Sequence, residues 1–393
     1  MNRFFDVVIV GAGPAGLAAA ACLGRHGLKI AILDRRSLPI DKPCGEGVMP
    51  PGVAILKKLG ATPFLNQSDF HPFHGIRYLT PTGRVAKADF AEGPGLGIRR
   101  TNLSQALTHL LDSMPTVEIH ENTRVQGIEQ HESGVSIQSN RGDFETRLLL
   151  GADGLHSRVR KWAGLEGKAS RHRRLGIRRH FEVEPWSRFV DVHSGPGVEA
   201  YVTPCGPNQV GIACLWERDT YPDAEPGKDL LDSLLKEFPD IQRKLEGAKP
   251  LSETLTTGPL EQKTRRRVSD SIILIGDAAG YLDACTGEGI TLALKQAQLL
   301  ESHLVPLLAG SRGLIRSNQL RNYEAACRRV LASYYLGTHF LLLLNRQPRF
   351  MEIFVRVLSQ RPALLQHLLS FNMGTVPLWP SRASLHRILE SHA

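Results

Sequence analysis

The chain has 393 residues, 42% hydrophobic and 22% charged, with a formal net charge of +9. That length and balance fit a globular protein of two domains with room for a small third. Six cysteines (22, 44, 205, 214, 285, 327) form no CxxC pair and no metal-ligand spacing, which argues against a disulfide framework or a metal centre and for reduced thiols in a cytoplasmic protein. No signal-peptide pattern precedes the first apolar strand, and no apolar run reaches bilayer-spanning length.

In chain order, Phe4–Val10 reads as a buried strand, Pro14–His26 as an Ala-rich helix stopped at Gly27, and Leu28–Leu33 as the next strand, ending at Asp34. Together they make a βαβ unit. Residues 36–52 read as loop, and Val53–Leu59 as a short helix. Residues 75–90 alternate as a hairpin around Pro81-Thr82-Gly83. A helix follows over Thr101–Leu111, with Thr101 or Asn102 as its expected cap. Strands are expected near 117–120, 123–130 and 134–139, and Thr146–Leu150 runs into Gly151. Residues 172–258 change character. Leu175–Val183, Arg188–His193, Val198–Thr203 and Gln209–Leu215 alternate like half-buried antiparallel strands, with a helix near 228–237. Ser271–Ile275 returns to a buried strand, and Ile290 opens a helix. The segment from about 320 reads as helical, with Pro348 after the apolar run Phe340–Leu344.

Three buried strands therefore end in glycine segments: Gly11-Ala12-Gly13-Pro14-Ala15-Gly16, Gly151-Ala152-Asp153-Gly154 and Gly276-Asp277-Ala278-Ala279-Gly280. In the first, Gly11, Gly13, Ala15 and Gly16 form a turn whose backbone can approach a pyrophosphate at a helix N-terminus. Asp34 suits the adenine ribose hydroxyls and disfavours a 2′-phosphate, while the neighbouring Arg35 and Arg36 soften that preference. A nicotinamide dehydrogenase leaves the third segment without a task; a flavoprotein does not. Asp277 suits ribityl hydroxyls, and the turn through Gly287 and Gly289 presents free N–H groups at Ile290 to the flavin pyrimidine.

With GAGPAG, Arg100-x-x-Leu103-x-x-x-Leu107, GADGLHSRVR (151–160) and IILIGDAAG (272–280), the chain over about residues 1–330 resembles the para-hydroxybenzoate hydroxylase-type FAD proteins. These include aromatic monooxygenases, halogenases and geranylgeranyl reductases. The resemblance implies FAD as resident cofactor and NAD(P)H as a transient reductant. It implies Arg100 near the FAD phosphates or ribityl chain, and Asp153 and Gly154 supporting the cofactor and the approach of NAD(P)H. It also implies an α/β fold with an α+β insert. A Rossmann-like FAD-binding domain would comprise 1–74, 97–170 and 265–330, an inserted antiparallel-sheet substrate domain 75–96 and 171–264, and a helical C-terminal tail 331–393.

Subfamily signals divide. Gly280 stands where many hydroxylases carry His, and Lys42-Pro43-Cys44-Gly45-Glu46-Gly47 and Thr286-Gly287-Glu288-Gly289 look like geranylgeranyl reductases. Trp216 is followed by Glu217-Arg218-Asp219, unlike the halogenase tryptophan motif, and the strand Tyr201-Val202-Thr203-Pro204 carries only part of the prenyl reductases' aromatic pattern. Cys44 reads either as a proton donor over the flavin or as an inert loop thiol. Glu46 and Glu288 are further acid–base candidates, and His180, His193 and Tyr201 lie on the inserted sheet, where a lone histidine is more often structural. The expected reaction is monooxygenation of a hydrophobic aromatic or polyketide-like molecule. Alkene reduction on a prenyl chain is the alternative, and a non-catalytic flavin-binding maturation factor a third reading.

From residue 311 the chain carries eleven arginines, no lysine and three glutamates. That segment reads as a solvated arginine face, with contact to an anionic membrane surface as the functional alternative. Nucleic acid is not expected, because no aromatics interleave with a basic patch.

Overall fold

The computed structural model describes residues 3–168, 173–221, 230–310 and 313–380. The end of the expected tail (381–393) and the start of the helix expected near 228–237 lie outside the described residues. The described helices are α1 Pro14–Gly24, α2 Pro50–Leu59, α3 Arg100–Asp112, α4 Arg158–Trp162, α5 Leu230–Leu235, α6 Pro239–Lys244, α7 Gly289–Gly310, α8 Arg321–Asn345, α9 Pro348–Ser359 and α10 Pro362–Asn372.

The first sheet sets Val117–His120, Ile30–Leu33, Arg3–Val10, Phe144–Gly151 and Ile272–Leu274 side by side in parallel. The hairpin Val125–His131 and Gly134–Ser139 pairs antiparallel with Phe144–Gly151. The central stretches Val7–Val10, Ile30–Leu33, Leu148–Leu150 and Ile272–Leu274 are apolar on both faces because both faces are covered. Helix α1 is buried at every position, and its small side chains let it pack closely between the sheet and α7. The helix ends at Gly24, two residues short of the expected His26, and a turn carries the chain to a left-handed Gly27 (φ +74°).

The second sheet runs Lys249–Pro250, Arg174–Glu182, Gln209–Glu217, Val198–Gly206, Val190–Gly195, Gly75–Leu79, Val85–Asp89. Its centre is antiparallel, as expected, but Val190–Gly195 and Gly75–Leu79 pair in parallel. The expectation of half-buried strands fails for Val198–Gly206, which is buried throughout. One face (Val198, Ala200, Val202) packs under α5 and α6 with Trp216 and Phe238, and the other looks inward to the cavities described below. Each such fully buried apolar side chain contributes roughly 1.5–3 kcal/mol.

A third, three-stranded sheet of Gly47–Val48, Gly95–Ile98 and Phe70–Phe73 joins the two. Part of the predicted 36–52 loop is therefore strand, and α2 starts at Pro50. A Cβ on Gly97 would lie 1.7 Å from the Pro204 carbonyl oxygen, so this sheet meets the second one backbone to backbone. Helix α8 packs on α7, while α9 and α10 lie over Val85–Asp89. Pro348 starts α9 instead of interrupting a helix.

Candidate functional site

Register brings the three glycine segments together. Val10 pairs with Leu33 and with Gly151, and Gly151 pairs with Leu274. The ladder then continues one residue past each strand: Gly11 N–H donates to Leu33 O (2.8 Å), Ala152 N–H to Val10 O (2.8 Å) and Ile275 N–H to Gly151 O (2.9 Å). Three turns distant in sequence thus leave the same sheet edge. Ligands bind at this carboxyl end of parallel strands.

These turns line one cavity of about 680 Å³. Gly11, Gly13, Ala15, Asp34, Arg35, Arg100, Asp153, Gly154, Gly276, Asp277, Gly287, Gly289 and Ile290 all border it, as do Cys44 and Glu46. Gly16 lies beneath the lining: a Cβ there would stand 2.0 Å from Gly11 O, so its lack of a side chain serves helix–strand packing. Gly11 (φ +111°) is fixed the same way, against Ala152 O at 2.3 Å. At Gly13 a Cβ would find Arg100 Nη2 as its nearest atom, at 3.2 Å, so a side chain there would project into the space beside that guanidinium.

The α3 cap differs from the sequence prediction. Thr101 and Asn102 fall inside the helix, and Arg99 is the N-cap residue without a side-chain cap bond. The cap comes from fifty-four residues upstream: Arg100 N–H donates to Glu46 Oε1 at 3.0 Å. A carboxylate at that point suits the positive end of the helix and holds Arg100 at the cavity wall. Glu46 is buried with φ +59°, and its second oxygen takes hydrogen bonds from His180 Nε2 and Cys205 Sγ (3.7 Å). His180 Nδ1 continues to Ser252 Oγ at 2.8 Å. The Arg178 guanidinium stands 3.9 Å from Glu46 and is bonded to Asp41 and to Lys42 O. Glu46, His180 and Cys205 offer ligand atoms within 4.8 Å of one another. A guanidinium beside them opposes a dication, and mutual hydrogen bonding accounts for the cluster.

Burial pushes the Asp277 carboxyl up, against the pull of Arg100, Lys42 and Arg160. Burial also pushes Lys42 down, helped by Arg100. The half-buried Cys44 thiol is pushed up by desolvation more than Arg100 lowers it, so it holds its proton. Both oxygens of Asp34 accept backbone N–H groups, from Ala12 (2.8 Å) and Arg36 (2.9 Å). Asp153 caps α4, accepting from Arg158 N (2.7 Å), Val159 N (3.1 Å) and Ser157 Oγ.

Glu288 stands apart from this cavity. It borders a second, apolar pocket of about 300 Å³ between the inner face of the second sheet and the C-terminal helices. Met49, Val190, Tyr201 and Gly287 line both spaces, so the two adjoin. Asn372 Nδ2 donates to Glu288 Oε1 at 2.8 Å, and burial pushes the Glu288 carboxyl up to about 8 while Lys295 pulls the other way. Tyr201 donates to Glu199 Oε2 at 2.7 Å, and Glu199 with Asp283 holds the buried Arg174. His193 is held neutral by burial, its pKa down to about 4, with its ring edge-on to Phe238. Sequence reasoning missed Lys42, Arg178 and Tyr281 in the cavity, and the pocket wall from α8 and α10. A charged residue inside an alternating strand was the available signal for Arg178.

The donor set fits a flavin dinucleotide. A guanidinium and a helix N-terminus face the same glycine turn, Asp34 ends the second strand, and Asp277 and the start of α7 complete the wall. The family model of the FAD binding domain matches residues 5–335. A digeranylgeranylglycerophospholipid reductase of Methanothermobacter thermautotrophicus is 27% identical over 364 residues, covering 86% of this chain and 87% of its own. A menaquinone reductase of Mycolicibacterium smegmatis is 26% identical over 379 residues, covering 90% and 87%. Among solved structures, a flavoprotein/dehydrogenase from Cytophaga hutchinsonii superposes with a TM-score of 0.80 at 16% identity, covering 98% of this chain and 97% of that one. The predicted α/β fold and FAD cofactor stand, and the chain belongs to the FAD-binding-domain family of FAD-dependent oxidoreductases.

Proposed function

We propose that this protein is a NAD(P)H-reduced flavoenzyme that saturates an alkene of a hydrophobic, isoprenoid-like substrate held in the apolar pocket. The observation that carries the reading is geometric: Cys44 lies on the wall of the cavity of about 680 Å³, and that cavity adjoins the apolar pocket through Met49, Val190, Tyr201 and Gly287. FAD, held by Asp277, Arg100 and the α1 turn, would supply the hydride chemistry when reduced. The Cys44 S–H gives its proton to an alkene carbon, and the thiolate regains a proton from water. Glu46 acts as a positioning residue, holding α3 and Arg100. Tyr78, Phe90 and Tyr201 pack the substrate chain and keep water from the reacting carbons. The names of the 26–27% identical reductases support a prenyl-lipid class.

Oxygen insertion into an aromatic or polyketide-like ring is the second reading. The same aromatic rim would stack a planar ring as readily as it packs a prenyl chain. Mass spectrometry of products separates the two. Reduction adds a hydride and a proton per double bond in the absence of O₂; a product carrying oxygen, formed only in air, would overturn the first reading. Cys44→Ser should keep FAD bound and slow turnover strongly. Unchanged turnover would remove Cys44 as proton donor.

A further inference from the structure

The outer face of the C-terminal helices is apolar where a surface is normally polar. Of the twelve large hydrophobic residues exposed among the described residues, eight fall between Leu336 and Trp379. On α8, Leu336, Phe340 and Leu343 recur at helical spacing on the exposed side. On α9, Met351, Val355 and Leu358 face inward, so Phe350, Ile353 and Val357 form a second apolar stripe facing out. Phe340 meets Phe354 edge to face, with centroids 5.5 Å apart, joining the two stripes. Trp379 is 82% exposed beside them in sequence.

The charge on this face is net positive. Arg349 and Arg356 share the exposed side of α9, and Arg346 is exposed at the end of α8. Glu352, the acid of α9, is paired at the surface with Arg84 and bonded to Thr82, so its charge is balanced there. Glu324, the acid of α8, is engaged with Arg267 and Arg328 near the helix start. Leu336, Phe340 and Leu378 are exposed and also line the apolar pocket, so the pocket opens on this face.

We infer that the outer face of α8 and α9, with Trp379, docks on an anionic lipid bilayer and turns the pocket mouth towards it. Apolar stripes flanked by arginine, with the one acid of α9 neutralised by Arg84, match a bilayer interface, where side chains enter the acyl boundary and guanidinium groups meet anionic headgroups. No described helix is long and apolar enough to cross a membrane, so the contact is superficial. Delivery of substrate through the mouth rests on the reading of the pocket given above; docking itself does not.

The test is co-sedimentation of the full FAD-loaded chain with phosphatidylglycerol–phosphatidylcholine vesicles and with phosphatidylcholine vesicles alone. Binding to the anionic vesicles is expected, with a blue shift of tryptophan emission that Trp379→Phe abolishes. Arg349→Gln with Arg356→Gln should weaken binding by roughly fivefold per arginine, and Phe350→Ser, Ile353→Ser and Val357→Ser together by about tenfold or more. FAD content should not change in any of these variants. A chain that stays in the supernatant, variants that bind like the parent, or binding without the Trp379 shift would each overturn the proposal. So would a dimer that the triple serine variant splits in a chain that ignores vesicles, since a second copy would then be the occupant. Sedimentation requires no turnover, so a wrong substrate class leaves this result interpretable.

Discussion

Replacing Glu46 tests whether the buried network holds α3 in place. Glu46→Ala removes the acceptor for Arg100 N–H and His180 Nε2 at once, while Cys205 Sγ keeps Thr203 O at 3.2 Å. The His180 and Glu46 side chains are 0% and 1% exposed, so the bonds that are lost are buried ones. Arg178 keeps Asp41 and Lys42 O, which limits the damage. Breaking a buried charged pair by deleting one partner costs about 3–5 kcal/mol, and the retained partners place Glu46→Ala near the lower end of that range. Glu46→Gln preserves an acceptor for Arg100 and a polar partner for His180 Nε2, so its cost should be about 1 kcal/mol. Glu46→Gly should recover roughly 1 kcal/mol relative to Ala, because φ +59° favours glycine. Urea unfolding with saturating FAD, followed by tryptophan fluorescence, reads all three. Alanine and glutamine variants of equal stability would refute the network as a structural support.

Other outcomes follow from single contacts. Gly13→Val should yield protein without FAD, read from its visible absorbance, because a branched side chain would crowd Arg100 Nη2, 3.2 Å from the Cβ position; a variant as yellow as the parent would contradict the placement. Gly27→Ala should cost about 1 kcal/mol and leave FAD content alone, since a Cβ there meets nothing within 4 Å and only φ +74° opposes it. Asp277→Ala should weaken FAD retention measured by ultrafiltration. Glu288 sets a pH dependence: its folded pKa, about 8, lies above the ordinary 4.5, so its stabilising effect is present below about 4.5 and is lost as pH rises through 8. Lys295, pushed down by the same burial, tilts the curve the other way. Glu288→Gln should therefore gain stability relative to the parent as pH rises from 5 to 9, and a constant difference would contradict the buried carboxyl.

The flavin cavity was legible in the sequence because its strands are covered on both faces. Continuous apolar runs at Val7–Val10, Leu148–Leu150 and Ile272–Ile275 leave little choice of structure, and glycines mark where each chain turns at the sheet edge. Glu46 as a helix cap was not legible. Capping motifs are sought within a few residues of the helix, and this carboxylate arrives from fifty-four residues away, across the Gly47–Val48 strand. The inserted sheet was read by alternation, which assigns one face to solvent. Here both faces are covered, so Glu199, Tyr201 and Thr203 became inward residues, and the apolar pocket depends on helices whose docking no local pattern encodes.

Reducing equivalents that pass from FAD to an alkene in the adjoining pocket should be visible in the flavin itself. Anaerobic stopped-flow spectroscopy of the NAD(P)H-reduced enzyme mixed with a polyprenyl substrate tests this directly. The flavin should reoxidise at a rate that depends on the alkene, without oxygen, and Cys44→Ser should slow this phase. A flavin that stays reduced until oxygen is admitted, whatever alkene is present, would contradict alkene reduction.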